Sequence, residues 1–114
     1  MPIIEVSTNV KNTDSKSLSL KLATLGSQLL SKPINYMLVN VTIQEGLTLG
    51  GADKPAALVH VGSMGNVGGS LNIPIVAGIN ELVSRELNVD GERIVIVIKE
   101  LQQSDVAENG KTFA

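Results

Sequence analysis

The chain has 114 residues, 43% of them hydrophobic and 18% charged, with 9 Lys and Arg against 11 Asp and Glu for a net charge of −2. This is the length of one domain, and the composition excludes a disordered chain. It also argues against a nucleic-acid reader, because there is no basic footprint for phosphates and, with aromatic residues at 2%, no ring platform for bases.

Ile3 to Thr8, rich in β-branched residues, predicts a first strand, closed by the turn-prone run from Asn9 to Ser15. Leu18, Leu22, Leu25 and Leu29 recur at steps of four, three and four, one face of a helix with Asp14 or Ser15 as N-cap. Pro33 ends that helix, because the residue before a proline is pushed out of the helical region. Met37 to Ile43 alternates Met37, Val39, Val41 and Ile43 against Leu38, Asn40 and Thr42, which predicts a half-buried strand. Gly46, Gly50 and Gly51 then leave Leu47 to Leu49 as at most a short edge strand.

Ala57 to Val61 predicts a further strand, running into the glycine-rich loop Gly62 to Gly69. In the helix that follows, Ile75, Ile79, Leu82 and Val83 form the buried stripe, Pro74 lies in the first turn and Gly91 just past the end. Ile94 to Ile98 is apolar on both faces and predicts a central strand covered on both sides. The tail from Gln102 to Ala114 reads as polar and irregular.

A shift of 57 residues lays Leu18 on Ile75, Leu22 on Ile79, Leu25 on Leu82 and Leu30 on Leu87, and Val39 on Ile96. This pattern predicts a tandem βαβ duplication within a single domain, with repeats 1–57 and 58–114. Right-handed crossovers then put both helices on one face of a four-stranded mixed sheet, an α+β fold. No helix remains for the other face, so the apolar Val95 and Val97 predict burial by other subunits.

The chain contains no cysteine and only one histidine, which rules out disulfides, thiolate centres and His-rich metal sites, so no metal and no cofactor are expected. His60 lies mid-strand near Ser63 alone and reads as structural or superficial. Gly110-Lys111-Thr112 has the end of a phosphate-binding loop, but Asp105 stands where its first glycine belongs and no helix follows. The loop from Gly62 to Gly69 lacks the dinucleotide spacing and reads as tight turns. No apolar run approaches the ~18 residues of a membrane span, and the start carries no basic secretory leader, so the expected compartment is the cytosol.

Lys32 sits at a helix C-terminus, where the backbone dipole by itself accounts for a cation. Pro2 reads as a strand start, but its chemistry depends on Met1. With Met1 attached, the proline nitrogen is a tertiary amide without a basic lone pair. Methionine is commonly trimmed before a small residue, and trimming leaves a secondary amine. Burial beside Lys32 would lower the pKa of that amine toward neutrality, the range of a general base.

Pro2 after Met1, Ser7-Thr8-Asn9-Val10, Lys32-Pro33 with Tyr36, Gly50-Gly51, Ser63-Met64-Gly65, Gly68-Gly69 and the closing run Asn109 to Ala114 together resemble the macrophage migration inhibitory factor family over the whole chain. The resemblance implies a βαβ duplication assembled as a homotrimer, with sites at subunit boundaries. It implies a cofactor-free keto-enol tautomerase of phenylpyruvate-like or dopachrome-like substrates, with Pro2 as base. Lys32 and the Met64 amide would hold the substrate carboxylate or enolate oxygen, Ser63 would support the loop, and Tyr36, Val106 and Phe113 would wall the pocket.

The chain departs from the family at several of these positions. Val95 and Val97 stand where the family places a tyrosine and an asparagine from the neighbouring subunit, and Glu108 replaces an aromatic residue. The resemblance therefore implies weaker binding of an anionic arylpyruvate, which would reduce activity, whereas a valine-lined pocket would lower the Pro2 pKa further by desolvation, so the net direction for activity is open. Ala56-Ala57-Leu58-Val59 replaces a Cys-x-x-Cys, which removes thiol oxidoreductase chemistry. The alternative is a cytokine-like homologue that engages a cell-surface receptor with weak or no catalysis, released by an unconventional secretory route. An acyl- or phosphate-binding enzyme built on the glycine loop ranks last.

Overall fold

Asp14 begins the first helix: its side chain accepts from the Ser17 N–H at 3.1 Å, which satisfies one of the donors that a helix start leaves free. In the computed structural model, which describes residues 1–114, this helix is α1 (Ser15–Leu30), and it lies between strands β1 (Ile3–Thr8) and β2 (Leu38–Ile43). The second half repeats the plan with β3 (Ala57–Ser63), α2 (Asn72–Leu87) and β4 (Ile94–Glu100). Each helix has 16 residues, and their starts lie 57 positions apart.

The helix ends match as well. Ser31 takes the left-handed conformation at φ 53° and the Lys32 N–H reaches Ser27 O at 3.1 Å; Asn88 does the same at φ 54° and the Val89 N–H reaches Ser84 O at 3.2 Å. The hydroxyls of Ser27 and Ser84 donate to Lys32 O and Val89 O in the same relation. The stop after α2 is therefore Asn88 and not Gly91, because asparagine tolerates the left-handed region well enough to cap a helix. Gly91 instead opens a short 3-10 turn (Gly91–Arg93) that leads into β4.

The sheet order is β2-β1-β3-β4, parallel within each half and antiparallel where β1 meets β3. Ile4 and Val6 of β1 and Val59 and Val61 of β3 face the helices and pack on Leu18, Leu22, Ile75, Ile79 and Val83. The helices approach closely at Gly78, where an added Cβ would lie 2.9 Å from Leu29 Cδ1. Two helices on one face of a four-stranded mixed sheet make this an α+β fold. No helix is long and apolar enough to cross a membrane.

Four expectations are corrected. β4 is an edge strand, not a central one: Ile94, Ile96 and Ile98 turn to the helices, while Val95 and Val97 are 42% and 43% exposed on the open face. A strand apolar on both faces reports that both faces are to be covered, and carries no information about which strands lie beside it. β2 starts at Leu38, because Met37 still closes the 3-10 turn Ile34–Tyr36, and Ile43 is 39% exposed at its far end. Leu47 to Leu49 forms no strand, only the bridge Leu49↔Ala52. Arg93 organises that loop instead, donating to the carbonyls of Pro55, Leu49, Ala52 and Lys54 at 2.9 to 3.4 Å.

The tail is ordered, which is the fourth correction. After a 3-10 turn (Gln103–Asp105), β5 (Ala107–Glu108) and β6 (Lys111–Thr112) pair as a hairpin. Its two-residue turn is Asn109-Gly110 at φ 53° and 76°, the positive values that a tight hairpin requires.

Candidate functional site

Pro2 is buried at the start of β1, and its carbonyl accepts the Leu38 N–H at 3.0 Å. Ile3 lies opposite Gly62, so the same register carries Pro2 to Ser63 at the end of β3. Ser63 is fully buried; its hydroxyl donates to Gly65 O at 2.8 Å, and its carbonyl accepts the Leu101 N–H at 2.8 Å. The loop after β3 is thus pinned beside Pro2. No acceptor within the chain takes the Met64 N–H.

Asn66 ties this loop to the helix layer. In the left-handed conformation at φ 61°, it donates through Nδ2 to Leu30 O at 2.8 Å, at the C-terminus of α1. Lys32 follows two residues later, half-buried and without an ion-pair partner. The ion pairs of the chain lie elsewhere, between Glu86 and its neighbours Lys21 and Arg85. Tyr36 precedes Leu38 by two residues, so it belongs to the same end of the sheet, where it is 48% exposed.

The C-terminal segment closes over this end. Leu101 packs on Gly62, where an added Cβ would lie 2.9 Å from its Cδ1. The Phe113 N–H donates to Gln103 O and Val106 O, both at 3.1 Å, which fixes the half-buried Val106 and Phe113 at the base of the hairpin. Glu108 is exposed opposite Lys111 and forms no ion pair with it.

The charges of this end meet at the chain start. The Met1 α-amine has its pKa lowered from the usual value, first by burial and then by the Lys32 ammonium, with the Glu108 carboxylate pulling it upward. Lys32 and Glu108 are the two charged side chains that act on it.

The structure thus brings Pro2, Lys32, Tyr36, Ser63, Met64 and the Val106 to Phe113 segment to one end of the sheet. It does not bring Val95 and Val97 there. Those two lie on β4, two strands from β1 and about 10 Å sideways, in register with Leu58 and His60. Only a second chain can place them against Pro2. His60 is exposed on the open face opposite Glu5, apart from this group. Asn66 and Leu101 are contributors that sequence reasoning passed over; nothing in the hydrophobic periodicity marks either one. No three His, Asp or Glu side chains converge on a common point in the chain.

Together the fold and this end of the sheet define a class: small α+β proteins of duplicated βαβ units, with a buried proline and an unpaired lysine beside the chain start. The model of the macrophage migration inhibitory factor (MIF) family matches residues 1–114. A macrophage migration inhibitory factor homologue of Trichinella spiralis is 36% identical over 99% of this chain and all of its own length. A solved macrophage migration inhibitory factor structure from the same organism superposes with a TM-score of 0.92 at 30% identity, covering 97% of this chain and 99% of that one. A homologue from Prochlorococcus marinus gives a TM-score of 0.93 at 25% identity, covering 98% and 99%. The chain belongs to the macrophage migration inhibitory factor family.

Proposed function

We propose that the protein is a cofactor-free keto-enol tautomerase of aryl 2-oxo acids that works as a homotrimer, with Pro2 as general base once Met1 is removed. The observation that carries this reading is the setting of the chain start, where Pro2 is buried beside Ser63 and where burial and Lys32 lower the pKa of the Met1 amine one residue away. A lowered pKa at this place favours the unprotonated form of an amine, as proton abstraction from carbon requires.

In the forward step the Pro2 nitrogen takes a proton from the carbon beside the ketone, and the electron pair moves into the carbonyl to leave an enolate oxygen. The Met64 N–H and the Lys32 ammonium hold that oxygen and the carboxylate, an electrostatic role that is strongest in a site shielded from water. The proton then returns from nitrogen to oxygen and restores the free amine. Conversion of Lys32 to alanine is expected to raise KM for phenylpyruvate by about tenfold or more, the worth of a charged hydrogen bond. Thermal stability should change little, because a helix-end cation contributes only ~0.3 to 1 kcal/mol. Loss of stability with KM unchanged would return Lys32 to a purely structural role.

The trimer is supported by the uncovered face. Leu38, Val95 and Val97 are 55%, 42% and 43% exposed there, with no helix of this chain over them. Sedimentation should give three times the chain mass of 12.0 kDa. A folded monomer that persists at micromolar concentration would refute it.

A second reading, a receptor-binding homologue with little catalysis, draws on Val95, Val97 and Glu108, which supply no polar grip on an anionic substrate. Tautomerisation assays on protein of verified N-terminal mass separate the two. Absence of turnover in Met1-free protein would favour the second.

A further inference from the structure

On the side turned away from the sheet, α1 and α2 leave a groove of about 600 Å³ between them, a size that suits a small molecule. Leu25 and Leu82, one from each helix, line it, and Leu20 stands on its rim, 63% exposed. Both ends are held. Leu29 packs on Gly78 at one, and the Lys21 ammonium reaches from α1 to Glu86 Oε1 on α2 at the other. The stretch of α2 that lines the groove, from Gly78 to Arg85, is about 10 Å long. Its charges do not balance pair by pair. Glu86 is one carboxylate for two cations: Oε1 takes Lys21, and Oε2 lies 3.5 Å from Arg85 Nε. Glu81 lines the groove one helical turn before Arg85 and forms no ion pair, because Arg85 is turned to Glu86 instead. An excess positive charge at Arg85 and a free negative charge at Glu81 therefore stand side by side over an apolar floor.

We infer that this groove is a binding site for a zwitterion with an apolar body, of the class of the aliphatic α-amino acids. The ligand carboxylate meets the outer nitrogens of Arg85, the ammonium meets Glu81, and the side chain lies on Leu20, Leu25 and Leu82. A simple anion would gain at Arg85 and lose at Glu81, and a simple cation would do the reverse; only a ligand with both charges gains at both. In an α-amino acid the two charges are separated by a single carbon, which suits partners one helical turn apart. The apolar side chain removes the exposed surface of Leu20 from water. The groove lies on the helix layer, apart from the chain start, so the inference is independent of the reaction proposed there.

The test titrates the whole protein with L-leucine and follows its backbone amides by NMR. The amides of residues 20–28 and 78–85 should shift saturably, and those at the Pro2 end should stay in place. Two probes divide the ligand: 4-methylpentanoate lacks the ammonium, and 3-methylbutylamine lacks the carboxylate. Glu81→Gln should weaken L-leucine about two- to fivefold, the worth of an exposed ion pair, without weakening 4-methylpentanoate. Arg85→Gln should weaken L-leucine by a similar factor without weakening 3-methylbutylamine. A merely structural effect of either substitution would move all three probes alike. Glycine, which keeps both charges but has no apolar body, should bind more weakly than L-leucine. The inference is overturned by no saturable shift in the two stretches at millimolar L-leucine, or by shifts confined to the Pro2 end. Equal weakening of L-leucine and its single-charge probes, or glycine binding as well as L-leucine, would overturn it too.

Discussion

Protein freed of Met1 is expected to interconvert the keto and enol forms of phenylpyruvate, and the same protein with Met1 retained to be slower by at least about a hundredfold, the usual worth of a positioned general base. With Met1 in place the nitrogen of Pro2 is an amide, and the only terminal amine lies one residue further out. Trimming moves that amine onto Pro2, which is buried beside Ser63 and within reach of the Lys32 charge. Burial and Lys32 both disfavour the protonated form of the Met1 amine, with Glu108 opposing them, and the same surroundings are expected to lower the pKa of the Pro2 amine that trimming creates. Because the base acts unprotonated, activity should rise with pH through this lowered pKa and level off above it. The rise should therefore come at lower pH than the titration of an ordinary terminal amine. Pro2→Gly should retain a slower reaction, since glycine offers a primary amine of different basicity and less fixed direction. Intact mass identifies each form, and equal rates with and without Met1 would remove Pro2 from the mechanism.

The second large effect lies in the core. Leu22→Ala and Ile79→Ala are each expected to cost about 2 to 5 kcal/mol, because deleting a fully buried aliphatic side chain loses its transfer free energy and leaves a cavity. Leu22 and Ile79 are 0% and 1% exposed on the stripes that α1 and α2 turn to the sheet. Leu20→Ala and Ile73→Ala, at 63% and 67% exposure on the same two helices, should stay within about 0.5 kcal/mol. Denaturant titrations at one fixed protein concentration make the comparison, since unfolding of an oligomer depends on concentration. A cost of several kcal/mol at Leu20 or Ile73 would show that the outer helix faces are covered by another chain.

Both helices were legible in the sequence because their information is local. The steps between Leu18, Leu22, Leu25 and Leu29, the cap at Asp14 and the stop before Pro33 act within a few residues, and α1 forms where they say. The 57-residue shift is visible for the same reason, since each half repeats its own short-range pattern. That the Pro2 nitrogen is an amide with Met1 attached and an amine without it is equally legible, because that difference is covalent.

The hairpin at Ala107 to Thr112 carried a local signal in Asn109-Gly110, but its strands are two residues each, too short for any alternation to show. Strand order is different in kind. β4 lies at the edge because the two parallel pairs meet through β1 and β3, a contact between residues about fifty to sixty positions apart that no window along the chain contains. The apolar faces of Ile94 to Ile98 fit a central strand equally well. The site shows the same limit. Lys32 at a helix end, Asn66 in a loop and Glu108 on a hairpin have no relation in sequence, and only folding around β1 brings their charges and hydrogen bonds to the end of the sheet that holds Pro2.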